Sequence, residues 1–325
     1  MRALGWFWGA VLGVLAVGAI VLQVLGPPVH PAPVVVAAAK PAAAGWDGHI
    51  APPDAALLEP AHGHDAGQLP RIAAEGRMAR QVYARRTPPV EGRPQIGIVI
   101  VGLGGSEADS RAAINLPGAV TLAVSAYARD PGALLTAARL AGHELLASIP
   151  MESDGFPFND AGPYSLLTGA EPADNQARLE TVLGRIQGYV GATGASDGLR
   201  GERFASQTSS FHAVLDELAG RGLLYLDPRP SGAGRPAPLP AGLAGCTVDV
   251  VLDDSSARAE IEAKLAELER IARNHGSAIG LVGRLRPMML DRIAAWAQDV
   301  QARGIVLVPV SALAVAAPAT ANAAQ

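Results

Sequence analysis

Four polar residues at the ends of apolar runs are the first candidates for chemistry in this sequence. They are Glu152, Asp227, Arg229 and Asp253, and each lies within three residues of a stretch typical of a buried strand. Side chains at the carboxyl ends of parallel strands converge on one edge of a sheet, where carboxylates can hold a metal ion or transfer protons. In the alternative interpretation, the carboxylates form salt bridges with Arg229 and with Arg284, which follows another such run.

The segment after Ile149 is a candidate binding loop. It begins at Met151 and is dense in glycine, proline, aspartate and aromatic residues, a composition typical of ordered loops that bind ligands. The aromatic side chains of Phe156, Phe158 and Tyr164 are predicted either to form a platform for a sugar ring or to plug the mouth of a barrel. Together with Met151 and Arg284, they are the predicted substrate-binding residues.

Several reaction classes lack support at these strand ends. None of the seven histidines follows a predicted strand, and no GxSxG serine motif is present. The single cysteine, Cys246, excludes a disulfide framework and a cysteine-based zinc cluster. Gly102 and Gly104 match only part of a dinucleotide fingerprint, because the third glycine position is Glu107, and a tight turn is predicted there.

The sequence supports neither a resident cofactor nor a nucleic-acid partner. We expect no resident metal and no cofactor; a divalent metal such as zinc is expected only if Glu152, Asp227 and Asp253 form a rebuilt enzyme site. The net charge of −4, from 26 basic and 30 acidic residues, argues against a nucleic-acid partner.

The elements that position these residues alternate along residues 95–313. Continuous apolar runs, such as Ile96–Val101, alternate with segments of helical period, which is typical of a parallel sheet covered on both faces. The pattern predicts an α/β fold, a distorted (β/α) barrel of seven to eight mostly parallel strands. An open, doubly wound sheet is the alternative.

The flanking segments have a different composition. Residues 1–26 contain an uncharged apolar span at 4–26, long enough to cross a bilayer, with Arg2 before it. This predicts a single-pass anchor in the cytoplasmic membrane with the domain facing the periplasm; a cleaved signal peptide is the alternative. The proline- and alanine-rich residues 27–94 are predicted to form a tether with a short helix near 70–86.

The order of these segments resembles the divergent polysaccharide deacetylase family. The stretches that carry the resemblance, between about residues 94 and 313, are AGHELLASIPMESDGFPFNDAGPYSLLTG, RGLLYLDPRPS, VDVVLDD, GSAIGLVGRLRP and RGIVLVPVSAL. The resemblance implies a distorted (β/α) barrel, an exported location and a role connected with carbohydrate. The alanine-rich residues 314–325 after the match are predicted to be a disordered tail.

The sequence departs from this family where a typical member holds its metal. Three motifs of the family align with segments of this chain. The position of the family's two aspartates aligns within Ile100–Gly104, its Asn-Asn-His segment aligns near Thr193–Ala195, and its Gly-His-Pro segment aligns with Gly283–Leu285. Neither the aspartates nor the histidines have counterparts. By the resemblance, the base and metal ligands of a deacetylase are therefore lost, while the groove residues around them are kept.

Three functional hypotheses follow. The leading one is a membrane-anchored, catalytically degenerate domain of the cell envelope that binds a glycan, a peptidoglycan-related ligand or a periplasmic envelope protein. The second is an active, metal-dependent glycan N-deacetylase that uses Glu152, Asp227 and Asp253. The third is a structural partner of periplasmic cell-wall hydrolase machinery.

Overall fold

A computed structural model describes residues 48–61, 67–88, 90, 92–231, 238–253 and 257–316, which belong to one compact unit. Within these residues, no helix is both long enough and apolar enough to cross a membrane. The predicted anchor at 1–26 and the tail from 317 onward lie outside the described residues.

The described residues form a curled, mixed β-sheet with helices packed around it. The strands are β1 (Leu58–Pro60), β2 (Gln68–Pro70), β3 (Gln95–Leu103), β4 (Thr121–Val124), β5 (Leu145–Ser148), β6 (Gly191–Thr193), β7 (Leu224–Asp227), β8 (Ala244–Thr247), β9 (Val250–Val251), β10 (Ser277–Val282), β11 (Val306–Leu307) and β12 (Val315–Ala316). The helices are α1 (Ala79–Val82), α2 (Glu107–Ile114), α3 (Gly132–Leu140), α4 (Pro172–Gly184), α5 (Glu202–Ser206), α6 (Thr208–Gly220), α7 (Arg258–His275) and α8 (Pro287–Val300).

The main sheet has the strand order β12-β8-β7-β6-β5-β4-β3-β10-β9, with β11 paired to β3. All neighbouring strands are parallel except β12 and β8. Strand β3 is buried along almost its whole length, as expected for a parallel strand that has helices on one face and the barrel interior on the other. In the described chain, the main sheet has ten strands, more than the seven to eight predicted, because the apolar run at 247–252 is divided between β8 and β9 and because β12 adds an antiparallel strand.

The curl of the sheet is visible where two distant strands end. Strands β6 and β10 are separated by β5, β4 and β3, yet the loops that follow them are in contact. The Gly198 N–H donates to the Gly283 carbonyl at 2.9 Å, and Arg284 Nε donates to the Asp197 carbonyl at 2.8 Å. A flat, open sheet would hold these loops far apart, so the sheet is a half-barrel. The prediction of a distorted (β/α) barrel is confirmed in this coarser form.

Helices cover the outer face of the half-barrel through apolar stripes of helical period. In α8, Met289, Ile293, Trp296 and Val300 are buried at spacings of three and four residues. Helix α7 buries a similar stripe and ends at Gly276, whose φ of +85° provides a left-handed C-cap. Helix α7 packs against β9 and β10, and part of the candidate site follows these two strands.

Residues 48–61 and 67–88, which lie within the predicted tether, pack on the barrel and are named the N-terminal strap here. Strands β1 and β2 pair antiparallel, and the strap buries Leu57, Leu69 and Tyr83. The strap helix is only Ala79–Val82, shorter than the predicted 70–86. The reason is that Pro70 ends a strand paired with Leu58, so the chain is extended where a helix was expected.

A buried carboxylate joins the strap to the base of the barrel. Glu144, which precedes β5, accepts hydrogen bonds from the Arg85 backbone N–H at 2.7 Å and from the Ser311 hydroxyl. Burial raises the pKa of Glu144 to about 7, although these hydrogen bonds favour its charged form. On the same side, Arg221 pairs with Glu59 at 2.8 Å.

Candidate functional site

Glu152 lies at the barrel mouth but is occupied by protein partners. Its side chain is only 3% exposed; Oε1 pairs with Arg203 Nε at 2.9 Å, and Oε2 accepts from the Thr168 N–H at 2.6 Å and from the Thr168 hydroxyl at 2.7 Å. The Glu152 carbonyl also accepts from the Phe204 N–H at 3.0 Å. The carboxylate therefore links the loop after β5 to the start of α5.

Asp227, the last residue of β7, forms a two-pronged ion pair with Arg229. Its Oδ1 accepts from Arg229 Nε at 2.9 Å and its Oδ2 from Arg229 Nη2 at 2.6 Å, and Oδ1 also accepts from the Arg229 backbone N–H. The Arg229 guanidinium lies 5.4 Å from the centre of the Phe211 ring. The pair raises the pKa of Arg229, so the positive charge stays in place. The alternative interpretation, a salt bridge at this strand end, describes the observed geometry.

Asp253 braces the loop after β10. Its Oδ1 accepts from the Gly283 N–H and its Oδ2 from the Arg284 N–H, both at 2.8 Å. Asp253 thus contacts the backbone of Arg284, while the Arg284 side chain extends to Asp197, where Nε and Oδ1 are 3.2 Å apart. The three carboxylates predicted to converge are therefore each engaged with different protein groups.

A pocket of about 280 Å³ lies between the loops after β6 and β10. Three arginines, Arg200, Arg284 and Arg286, line it together with Asp253, and its wall includes Ala195 and Gly283. Residues from both segments that align with the family's histidine motifs line this pocket. Ala195 comes from the first segment, and Gly283 and Arg284 come from the second. By the sequence resemblance, Arg284 aligns with the histidine of the family's Gly-His-Pro segment.

Two other glycines in the segments aligned with the metal motifs lie next to side chains. Gly102 lies against the Leu285 side chain, which would contact a Cβ at this position at 3.6 Å. A Cβ on Gly194 would lie 3.0 Å from Tyr225 Oη and 3.2 Å from Met151 Sδ. The predicted binding residue Met151 is thus buried beneath the mouth, 1% exposed, and packs there as part of the core.

A metal ion does not fit the residues at this mouth. The part of the chain that the structure describes holds no group of three or more His, Cys, Asp or Glu side chains able to bind a metal. The guanidinium of Arg284 also places positive charge at this pocket, which opposes the binding of a cation.

The loop after β5 presents its aromatic residues in different ways. Phe158 is 96% exposed and Phe156 is half-buried. Tyr164 stacks on Tyr127 with ring centres 5.5 Å apart, and the Arg185 guanidinium lies 5.3 Å from the centre of the same ring. Tyr164 therefore anchors the loop, and Phe158 is the aromatic side chain that the loop offers to solvent.

Sequence reasoning missed the partners that come from other elements. Arg203 and Thr168 are far from Glu152 in sequence, and no local pattern indicates that they bond to it. Arg286, in contrast, has a signal that could have been used, because it stands two residues after Arg284 and directly before the proline that begins α8.

Comparisons with known proteins agree with the fold. The profile described as divergent polysaccharide deacetylase matches residues 98–314. The crystal structure of an uncharacterized protein from Agrobacterium tumefaciens C58 is 34% identical, superposes with a TM-score of 0.69, and covers 76% of this chain and 99% of its own. No curated protein matches this chain significantly. The family profile spans most of the folded domain, and the chain belongs to the divergent polysaccharide deacetylase family.

Proposed function

We propose that this protein is a catalytically degenerate member of its family that binds a glycan without hydrolysing it. The observation that carries the proposal is the state of the three carboxylates at the mouth. The oxygens of Glu152, Asp227 and Asp253 all accept hydrogen bonds from protein groups, and the first two carboxylates are paired with arginines.

Amide hydrolysis by a metal-dependent deacetylase needs an open metal coordination position and a carboxylate that can take a proton from water. A carboxylate whose oxygens are already held by protein donors is not open to a water molecule whose proton it would have to take. Arg203 and Arg229 occupy oxygens of Glu152 and Asp227 in this way. A rebuilt enzyme site from the same carboxylates would require these ion pairs to break.

Binding is supported by the groups that remain available at the mouth. Sugar sites combine aromatic faces with polar side chains that donate and accept hydrogen bonds. Phe158 is exposed on a loop that is held in shape, because the Ser153 hydroxyl donates to the Asn159 carbonyl at 2.9 Å and Asn159 Nδ2 donates to the Asp154 carbonyl at 3.1 Å. The pocket between the loops after β6 and β10 supplies polar groups, among them the side chains of Arg284 and Arg286.

We further propose that residues 4–26 hold the domain at the periplasmic face of the cytoplasmic membrane. The support is the uncharged apolar span with Arg2 before it. Protease added to spheroplasts should digest the domain, and the chain should stay with membranes after carbonate extraction. Protection from protease, or release into the soluble fraction, would contradict this placement.

The functional proposal is tested by metal analysis and glycan binding on the same full-length preparation. After dialysis against buffer without chelator, we expect far less metal than one ion per chain and retained binding to immobilised N-acetylated oligosaccharide. Stoichiometric zinc would favour the active deacetylase. A metal-free, folded protein that binds no glycan but recovers an envelope protein from solubilised membranes would favour the structural-partner hypothesis.

A further inference from the structure

We propose that the pocket between the loops after β6 and β10 binds a negatively charged sugar through Arg284 and Arg286. The oxyanion that they recognise is a carboxylate or phosphate group on that sugar. This inference rests on the proposed glycan binding and names the class of glycan. The juxtaposition that carries it is two guanidinium groups with available donors on one pocket of about 280 Å³.

Arg286 is the first of these groups. It is half-buried at the pocket wall, and within the described residues its guanidinium has neither an ion pair nor a hydrogen bond. Partial burial removes part of the hydration of a charged group, and a counter-ion compensates for that loss. A ligand oxyanion would supply the counter-ion that the described part of the protein does not.

Arg284 is the second group, and it is held in place by one nitrogen. Its Nε donates to the Asp197 carbonyl at 2.8 Å and lies 3.2 Å from Asp197 Oδ1. Among the described residues, Nη1 and Nη2 have no hydrogen-bond partner. An anchored guanidinium with free terminal nitrogens can bind a carboxylate or phosphate through two parallel hydrogen bonds.

The backbone around the pocket is fixed before any ligand binds. Asp253 accepts from the Gly283 and Arg284 N–H groups, and the Gly198 N–H donates to the Gly283 carbonyl. Gly198 has a φ of +81°, and a Cβ there would lie 2.8 Å from Arg284 Nε, so a larger residue would displace the arginine. A preformed site loses less conformational entropy when it binds.

Negative charges near the pocket are already engaged. Asp253 is bonded to backbone N–H groups, and Glu202 pairs with Arg200 at 3.2 Å. The carboxylate of Asp197 is 87% exposed and therefore well screened by water. Helix α8, which begins directly after Arg286, adds the positive end of its dipole to the two arginines.

The volume of the pocket limits the size of the ligand that it can hold. Pockets for small ligands span about 300–1,000 Å³, so this pocket of about 280 Å³ is slightly smaller than that range. It is suited to a single charged sugar unit and its oxyanion. The remainder of a longer glycan would extend along the mouth.

The test compares charged and neutral sugars by ligand-detected NMR titration of the full-length protein. Glucuronic acid, glucose 6-phosphate and glucose are the probes. We expect both charged sugars to bind at least about tenfold more tightly than glucose, and their affinity to fall with added salt. Equal affinity for charged and neutral sugars would overturn the proposal.

Variants locate the effect. Arg286→Gln should weaken the binding of the charged sugars by about tenfold or more. Arg284→Gln should have the same effect, and it serves as the second variant if Arg286→Gln perturbs folding. Arg270→Gln removes the same charge from an exposed site on α7, 60% exposed, and should leave affinity unchanged. Equal losses in Arg286→Gln and Arg270→Gln would refute the assignment to this pocket.

The test separates the inference from the functional proposal on which it rests. Tight binding of neutral N-acetylated oligosaccharide with no preference for charged sugars would overturn the oxyanion site while the glycan-binding proposal stands. Release of acetate together with a preference for charged sugars that depends on Arg286 would overturn catalytic degeneracy while the oxyanion site stands.

Discussion

The carboxylate of Glu152 shows how a charged residue becomes structural at a strand end. It is almost fully buried, and its desolvation is offset by three donors, two from Thr168 and one from Arg203. The carboxylate fixes the positions of two other segments. We therefore expect its removal to lower the stability of the fold at the mouth.

Replacing Glu152 tests this structural role. Glu152→Ala leaves the Thr168 N–H without its acceptor, and we expect the free energy of unfolding in urea to fall by about 2–3 kcal/mol. Glu107→Ala, at a side chain that is 72% exposed, serves as the control and should change the free energy of unfolding by roughly a few tenths of a kcal/mol. A loss in Glu152→Ala no larger than in the control would show that the buried contacts contribute nothing.

Phe158 presents the opposite case, a large apolar side chain with almost no contacts. Phe158→Ala should leave the melting temperature unchanged and should weaken the binding of N-acetylated oligosaccharide on the order of tenfold, because an exposed ring contributes to ligand contact and not to the core. Leu140→Ala, also at an exposed apolar residue, is the matched control. Unchanged affinity in Phe158→Ala would remove this ring from the site.

At the scale of elements, the N-terminal strap packs on the barrel as part of the domain. Leu69 of β2 is completely buried, and Gly67 approaches the Gly184 carbonyl at the end of α4. The strap therefore completes the core at the base of the barrel.

Truncation of a strap side chain tests this packing. Leu69→Ala should lower the free energy of unfolding by about 2–5 kcal/mol, the range for a buried leucine. The exposed Leu140→Ala variant should lose far less. Equal, small effects in chemical denaturation would mean that the strap does not pack on the barrel.

Glu144 connects three elements, and its proton gives stability a pH dependence. Its folded pKa of about 7 lies above the ordinary value of 4.5, so the folded state holds a proton that the unfolded chain releases between these pH values. This group's contribution to stability is complete below about pH 4.5 and is lost as the pH rises through 7. Burial lowers the pKa of His143, which gives a contribution of opposite sign that is the same in wild type and variant.

Glu144→Gln isolates this contribution. Stability of the variant relative to wild type should rise by on the order of 3 kcal/mol between pH 4.5 and 7.5. Glu107→Gln should show no such rise. Parallel curves for wild type and Glu144→Gln in pH-dependent urea unfolding would contradict the raised pKa.

At the scale of the whole molecule, what could be predicted from sequence depended on the range of the interaction. The apolar runs predicted the parallel strands, and the two-residue spacing of Asp227 and Arg229 allowed their pairing. The contact between the loops after β6 and β10 depends on the curl of the sheet, and the pairing of Glu152 with Arg203 depends on where α5 packs. Neither leaves a local pattern. The strap was obscured because proline and alanine are typical of linkers, and only the fold buries Leu69.

The barrel mouth is proposed to bind glycan without cleaving it. The most direct measurement is a proton NMR experiment on N-acetylated oligosaccharide with full-length protein and added zinc, in which saturation transfer reports binding and the acetate signal reports hydrolysis. We predict saturation transfer to the sugar and no growth of free acetate. Growth of acetate that stops when a chelator is added would contradict the account.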